Sequence, residues 1–235
     1  MAYNRSLVLP RFGRGPLFYG LAIALLNMLI ADQPYATHLV LGPGFAGGEY
    51  WQPLSSLFLF PEGRIEGLIG TFLIQWVIGT AVEDRLGRAR YFALLLGAGL
   101  TAKLTLALLS LAWPSLVEIA VGGSLPADFA AVVAFGVLFA ERRLSLFGAL
   151  TLSSRTLSLI IAGLALLAPP LRGAPWSTVI LHAVAMTVGF LAIARPWRPG
   201  AGSGTVGGRR SANKRKAKKP KQKQKQKPKH LRLLN

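Results

Sequence analysis

Two residues have the types and the setting for nucleophilic chemistry: Ser124, in Gly122-Gly123-Ser124-Leu125, and His182, inside a long apolar stretch. A serine hydroxyl becomes a nucleophile when an imidazole within about 2.6–3.2 Å takes its proton. Donors aimed at the developing oxyanion then contribute roughly 100- to 1,000-fold each. A second candidate is the pair Lys103 and Asp128, both set in apolar sequence. Placing a lysine mid-membrane costs on the order of 3 kcal/mol, so it calls for a partner or a watery cavity. Asp128 is that partner as a buried pair, or as part of a proton or ion route. The plainer alternatives are Ser124 as the cap before a helix and His182 as an interhelical hydrogen-bonding group. With no cysteine, thiolate nucleophiles and Cys-based metal clusters are excluded. Three histidines and nine acidic residues, scattered along the chain, supply no evident metal site, and no cofactor is expected.

The elements that must position these residues are apolar spans. The 235 residues are 52% hydrophobic and 15% charged, which fits an all-α polytopic membrane protein. The charged stretch Glu83 to Tyr91 separates two uncharged runs, so it reads as a hairpin left in water between two membrane helices. The spans predicted are 16–31, 66–82, 90–112, 126–140, 156–168 and 175–194. The fifth is the shortest, takes 146–154 as a lead-in, and breaks at Pro169-Pro170. Residues 33–65, broken by Gly and Pro yet carrying Tyr50, Trp51 and Phe58, suit an interfacial or partly re-entrant loop. Asn27 and Gln75 read as packing hydrogen bonds within spans. Glu83 reads as a structural acceptor from Arg90 or from nearby backbone N–H groups.

Charge sets the expected orientation. Of thirteen Lys/Arg before residue 196, ten lie in segments that six spans put on one side, and Arg64 and Arg172 on the other. By the positive-inside rule both termini are cytoplasmic, as in a plasma (inner) membrane protein. The domains are then 1–15, a cytoplasmic segment; 16–195, the membrane domain; and 196–235, a tail. The net charge of +18 belongs mostly to that tail, where a Gly/Ser-type linker precedes a Lys-rich run through Lys214 to Lys229 without an acidic residue. Such a segment is expected to be disordered. Its partners would be anionic lipid, at about 1 kcal/mol per basic residue near the surface, and, less favoured, RNA or the ribosome.

With six spans placed, the chain resembles the rhomboid family of intramembrane proteases and their inactive relatives. The likeness is carried by Trp51-Gln52, by Gly79 with Glu83, Gly87 and Arg90-Tyr91, and by His182 with Gly189-Phe190. It implies a six-helix rhomboid-like bundle. In that family a Gly-x-Ser-Gly serine and a helix-six histidine form the dyad, and a His and an Asn on the second helix support the oxyanion. Counted back from Glu83, those two positions fall on Gly67 and Thr71, so both oxyanion side chains are absent. Ser124 is followed by Leu125 rather than Gly, and a second alignment places Leu125 itself at the nucleophile position. The expectation is a pseudoprotease that binds transmembrane helices of client proteins, or membrane-partner proteins, between its second and fifth helices. The rival is a serine endopeptidase using Ser124 and His182. A transporter built on Lys103 predicts internal repeats, which the sequence does not display.

Overall fold

The computed structural model describes residues 11–61, 65–146 and 150–194. Six helices dominate them: α1 (Arg14–Ile30), α2 (Ile65–Leu86), α3 (Arg88–Ala112), α4 (Leu125–Leu138), α5 (Ser154–Leu171) and α6 (Trp176–Ala194). By length and composition α2, α3, α5 and α6 can each cross a membrane, while α1 and α4 are shorter. At 14 residues α4 is about 21 Å long, less than a bilayer core of about 30 Å. It can be short because it is central. Ala127, Ala130, Ala131, Val132, Ala134 and Phe135 are all buried, and α4 packs on α2, α3, α5 and α6. Small side chains allow that crowding: a Cβ on Gly189 of α6 would lie 2.9 Å from the Ala130 carbonyl.

The turn at Glu83 holds two helices and the start of a third. α2 ends at Gly87, whose φ of +80° suits a residue without a Cβ, and α3 begins at the next residue. Glu83, buried on α2, accepts from the Gly15 N–H with both oxygens at 3.1 Å and from Arg88 Nε at 3.2 Å. Thr80 Oγ1 accepts from the Gly13 N–H at 2.9 Å. The free N–H groups at the start of α1 are thus bonded to side chains of α2, which pins the first helix to the hairpin. Backbone N–H groups do donate to Glu83, and Arg88 donates to it as well.

Two expectations need correction. A two-stranded antiparallel hairpin, β1 (Arg143–Leu146) with β2 (Leu150–Ser153), stands where the helical lead-in to the fifth span was expected, within an otherwise helical fold. Leu144-Ser145-Leu146 and Leu150-Thr151-Leu152 alternate apolar and polar, a period of two that suits strands. α5 then starts at Ser154, capped by Ser153 Oγ accepting from the Thr156 N–H at 3.1 Å. It also continues through Pro169-Pro170 to Leu171. Proline's missing N–H removes partners only from carbonyls one turn back, and near a helix end that is tolerated when another donor arrives.

The segment before α2 is compact, with short 3₁₀ turns at Pro34–His38 and Pro43–Phe45 and one α-turn at Gln52–Ser55. Leu41 bridges to Val121, and Leu41 and Phe45 pack against α3 and α6. Asn27 ties the segment to α1: its Nδ2 donates to the Phe58 carbonyl at 2.7 Å, and its Oδ1 accepts from the Phe60 N–H at 2.8 Å. The basic tail and its expected disorder lie outside the described residues.

Candidate functional site

Ser124 stands immediately before α4. Gly123, at a φ of +93°, turns the chain there, and its N–H donates to the Ser56 carbonyl at 2.8 Å. Ser124 is fully buried, and its Oγ lies 2.8 Å from Thr71 Oγ1 and 3.3 Å from Asp128 Oδ2. Thr71 also donates to Asp128 Oδ2 at 2.7 Å, and Gln75 Nε2 donates to Oδ1 at 2.6 Å. The Tyr91 hydroxyl donates to Gln75 Oε1. A hydrogen-bonded chain therefore runs Ser124, Thr71, Asp128, Gln75, Tyr91 through the bundle interior.

Local backbone makes that chain possible. Gln75 opens a π-helical turn, Gln75–Gly79, which offsets the face of α2 at the point where it meets Asp128. Gly79 leaves the room: a Cβ there would overlap Gln75 Oε1 and lie 2.9 Å from the Tyr91 hydroxyl. Asp128 thus faces α2 and receives three donors, enough to satisfy a carboxylate without a cation.

The expected Lys103–Asp128 pair is therefore not formed. Lys103 is fully buried on α3, and its Nζ has no hydrogen-bond partner among the described residues. The sequence offered Asp128 as the partner of Lys103, but its carboxylate is turned to the second helix, not the third.

His182 is buried on α6. Its Nδ1 lies 2.9 Å from the Ala165 carbonyl of α5, and its ring meets the Phe129 ring edge-on at 4.7 Å between centroids. A carbonyl only accepts, so Nδ1 carries the proton and Nε2 keeps the lone pair. No hydrogen bond joins His182 to Ser124 among the described residues. Beside Gly67, where the resemblance sought an oxyanion donor, the space is filled: a Cβ on Gly67 or on Gly123 would overlap the Phe60 ring. Thr71, at the other such position, is engaged with Ser124 and Asp128.

Comparison with known families places the Rhomboid domain on residues 47–197, close to two thirds of the chain. This chain belongs to the rhomboid family. It is an integral membrane protein of that family, and the search of curated proteins found no match. Within this rhomboid domain the sequence picked out Ser124, His182, Thr71, Asp128 and Lys103. It treated Gln75 as a packing group, which it is, and missed that Tyr91 and Asp128 are its partners. Nothing in the composition pointed to Phe60.

One further feature of the rhomboid domain is a groove of about 670 Å³ between α2 and α5. Val77 of α2, Phe135 of α4, Phe139 just past its end, and Leu157 of α5 line it, and it lies at the end of the bundle that carries the Glu83 turn and the hairpin.

Proposed function

We infer that this rhomboid-family protein crosses its membrane six times with the arginine-rich end in the cytoplasm, and that it binds transmembrane helices of client proteins at the α2–α5 groove without cleaving them. The observation that carries this reading is the commitment of the two candidate catalytic groups. Ser124 Oγ is held by Thr71 and Asp128, His182 Nδ1 by Ala165, and Phe60 occupies the place beside Gly67. A serine protease requires the hydroxyl on the imidazole and an empty, donor-lined site for the oxyanion. The groove supports the binding half: α2 packs on α1, α3 and α4, and α5 on α4 and α6, leaving an apolar floor open between them.

A Ser124/His182 endopeptidase is the rival reading, favoured by the position of Ser124 at the start of the central helix of a rhomboid domain. Reaction of the purified protein with a fluorophosphonate probe separates the two. The expected result is no labelling of the parent above that of Ser124→Ala; labelling that disappears in Ser124→Ala would overturn the non-proteolytic reading. Because the chain has no cysteine, Val77→Cys offers a single thiol in the groove for crosslinking to a client helix.

A further inference from the structure

The groove between α2 and α5 is apolar within and cationic at its rim. Arg11, Arg85 and Arg142 line it together with one acid, Asp84, and all four side chains are exposed. Among the described residues, no carboxylate forms an ion pair with any of the three rim arginines. The Arg142 guanidinium stands 5.8 Å from the centre of the Phe139 ring, at the junction of rim and floor. Exposed guanidinium groups grouped this way present a net positive mouth suited to phosphate oxygens.

The chemistry of the groove decides what fits it. Its floor is apolar and its rim cationic, and a flexible alkyl chain that carries an anionic head matches both. We propose that the resting occupant is an anionic phospholipid, its phosphate on Arg11, Arg85 and Arg142 and an acyl chain along Val77, Phe135, Phe139 and Leu157. The arginine-rich end is where a headgroup must sit for this to work, since basic side chains beside a bilayer draw anionic lipid. The site does not depend on any client and is measured without one.

The test is native mass spectrometry of the full-length protein in neutral detergent, equilibrated with phosphatidylglycerol or phosphatidylcholine. The parent retains one phosphatidylglycerol, and Arg85→Gln with Arg142→Gln lowers retention roughly tenfold or more, as expected for two basic groups at a membrane surface. Arg143→Gln, at the same end but outside the groove, leaves retention unchanged. Val77→Glu, at a half-exposed position of the floor, reproduces the loss with every arginine in place, so the result does not hang on the folding of one variant. The basic tail is present in all of them. Retention by the double Gln variant or by Val77→Glu equal to that of the parent overturns the proposal, as does equal retention of phosphatidylcholine. Displacement of the lipid by inorganic phosphate or by a soluble acidic peptide overturns it too, because the apolar floor would then contribute nothing.

Discussion

His182 donates from Nδ1 to the carbonyl of Ala165, and that carbonyl is free because the residue four positions on is Pro169. In an uninterrupted helix the Ala165 oxygen would accept from the N–H of residue 169. Proline has none, so α5 presents an unused acceptor to α6 and His182 takes it. The diproline that looks like a helix stop thus supplies the partner that orients the histidine and fixes which nitrogen bears its proton.

Pro169→Ala returns an N–H to compete for that oxygen. One hydrogen bond replaces another, so stability should move by no more than about 1 kcal/mol. The imidazole should register the change: the ¹⁵N signal of His182 Nδ1 should shift as its bond to Ala165 weakens. An unaltered imidazole spectrum would show that Pro169 does not set the state of His182.

Asp128 and Ser124 are adjacent in the same network but should differ sharply on removal. Asp128→Ala strands the Gln75 amide and removes the acceptor of Thr71, all fully buried. Each unsatisfied buried group costs about 1–3 kcal/mol, so a loss of roughly 2–4 kcal/mol is expected. Ser124→Ala leaves Thr71 bonded to Asp128 and should cost less than about 1 kcal/mol. Thermal unfolding in detergent gives both numbers. Equal losses would mean that Ser124, rather than Asp128, organises the cluster.

Restoring the side chains that the family resemblance puts on the second helix should not create a protease. A Cβ at position 67 already overlaps the Phe60 ring, and Thr71→Asn replaces the hydroxyl that donates to Asp128 with a larger amide in a fully buried place. Gly67→His with Thr71→Asn is therefore expected to unfold more readily than the parent and to show no fluorophosphonate labelling. Labelling gained in that variant would mean that missing donors were the sole obstacle to catalysis.

Lys103→Met tests the absence of an ion pair. Methionine fills a similar length without the amine, whose Nζ has no hydrogen-bond partner among the described residues. Burying an unbonded polar group costs roughly 1–3 kcal/mol, so the substitution should be neutral or stabilising by up to that amount. A loss of several kcal/mol in the melting curve would indicate that Lys103 has a partner after all, as the pairing with Asp128 had implied.

What the sequence made legible were features that repeat or accumulate. Apolar runs marked the helices, and the charge cluster at Glu83 marked a turn. The spacing of Gly79, Glu83, Gly87 and Tyr91 marked the family. What it hid were orientations. Lys103 and Asp128 both lie in apolar sequence, but only the structure tells that a π-helical turn at Gln75 brings α2 to the carboxylate. The hairpin at 143–153 was hidden because its strands are four residues each, and their alternation was subsumed in an apolar stretch that looked helical. Phe60 was hidden because its role depends on two glycines, Gly67 and Gly123, that are remote from each other in the chain.

Glu83 and Gly15 should be coupled, and a double-mutant cycle can measure it. The carboxylate takes the place of the missing helical partner of the Gly15 N–H, and its negative charge lies at the positive end of α1, so Glu83→Ala should cost about 1–2 kcal/mol. Gly15→Ala should cost a similar amount, because its Cβ would sit 2.6 Å from Glu83 Oε1 and the carboxylate must swing off the Gly15 N–H to make room. With the carboxylate gone, nothing more is displaced. The double variant should therefore lose less than the sum of the two single losses, with an interaction of about 1 kcal/mol or more between them. Strict additivity would mean that the start of α1 is held by something other than Glu83, and the anchoring of the first helix to the hairpin would have to be assigned to the bond between Gly13 and Thr80 alone.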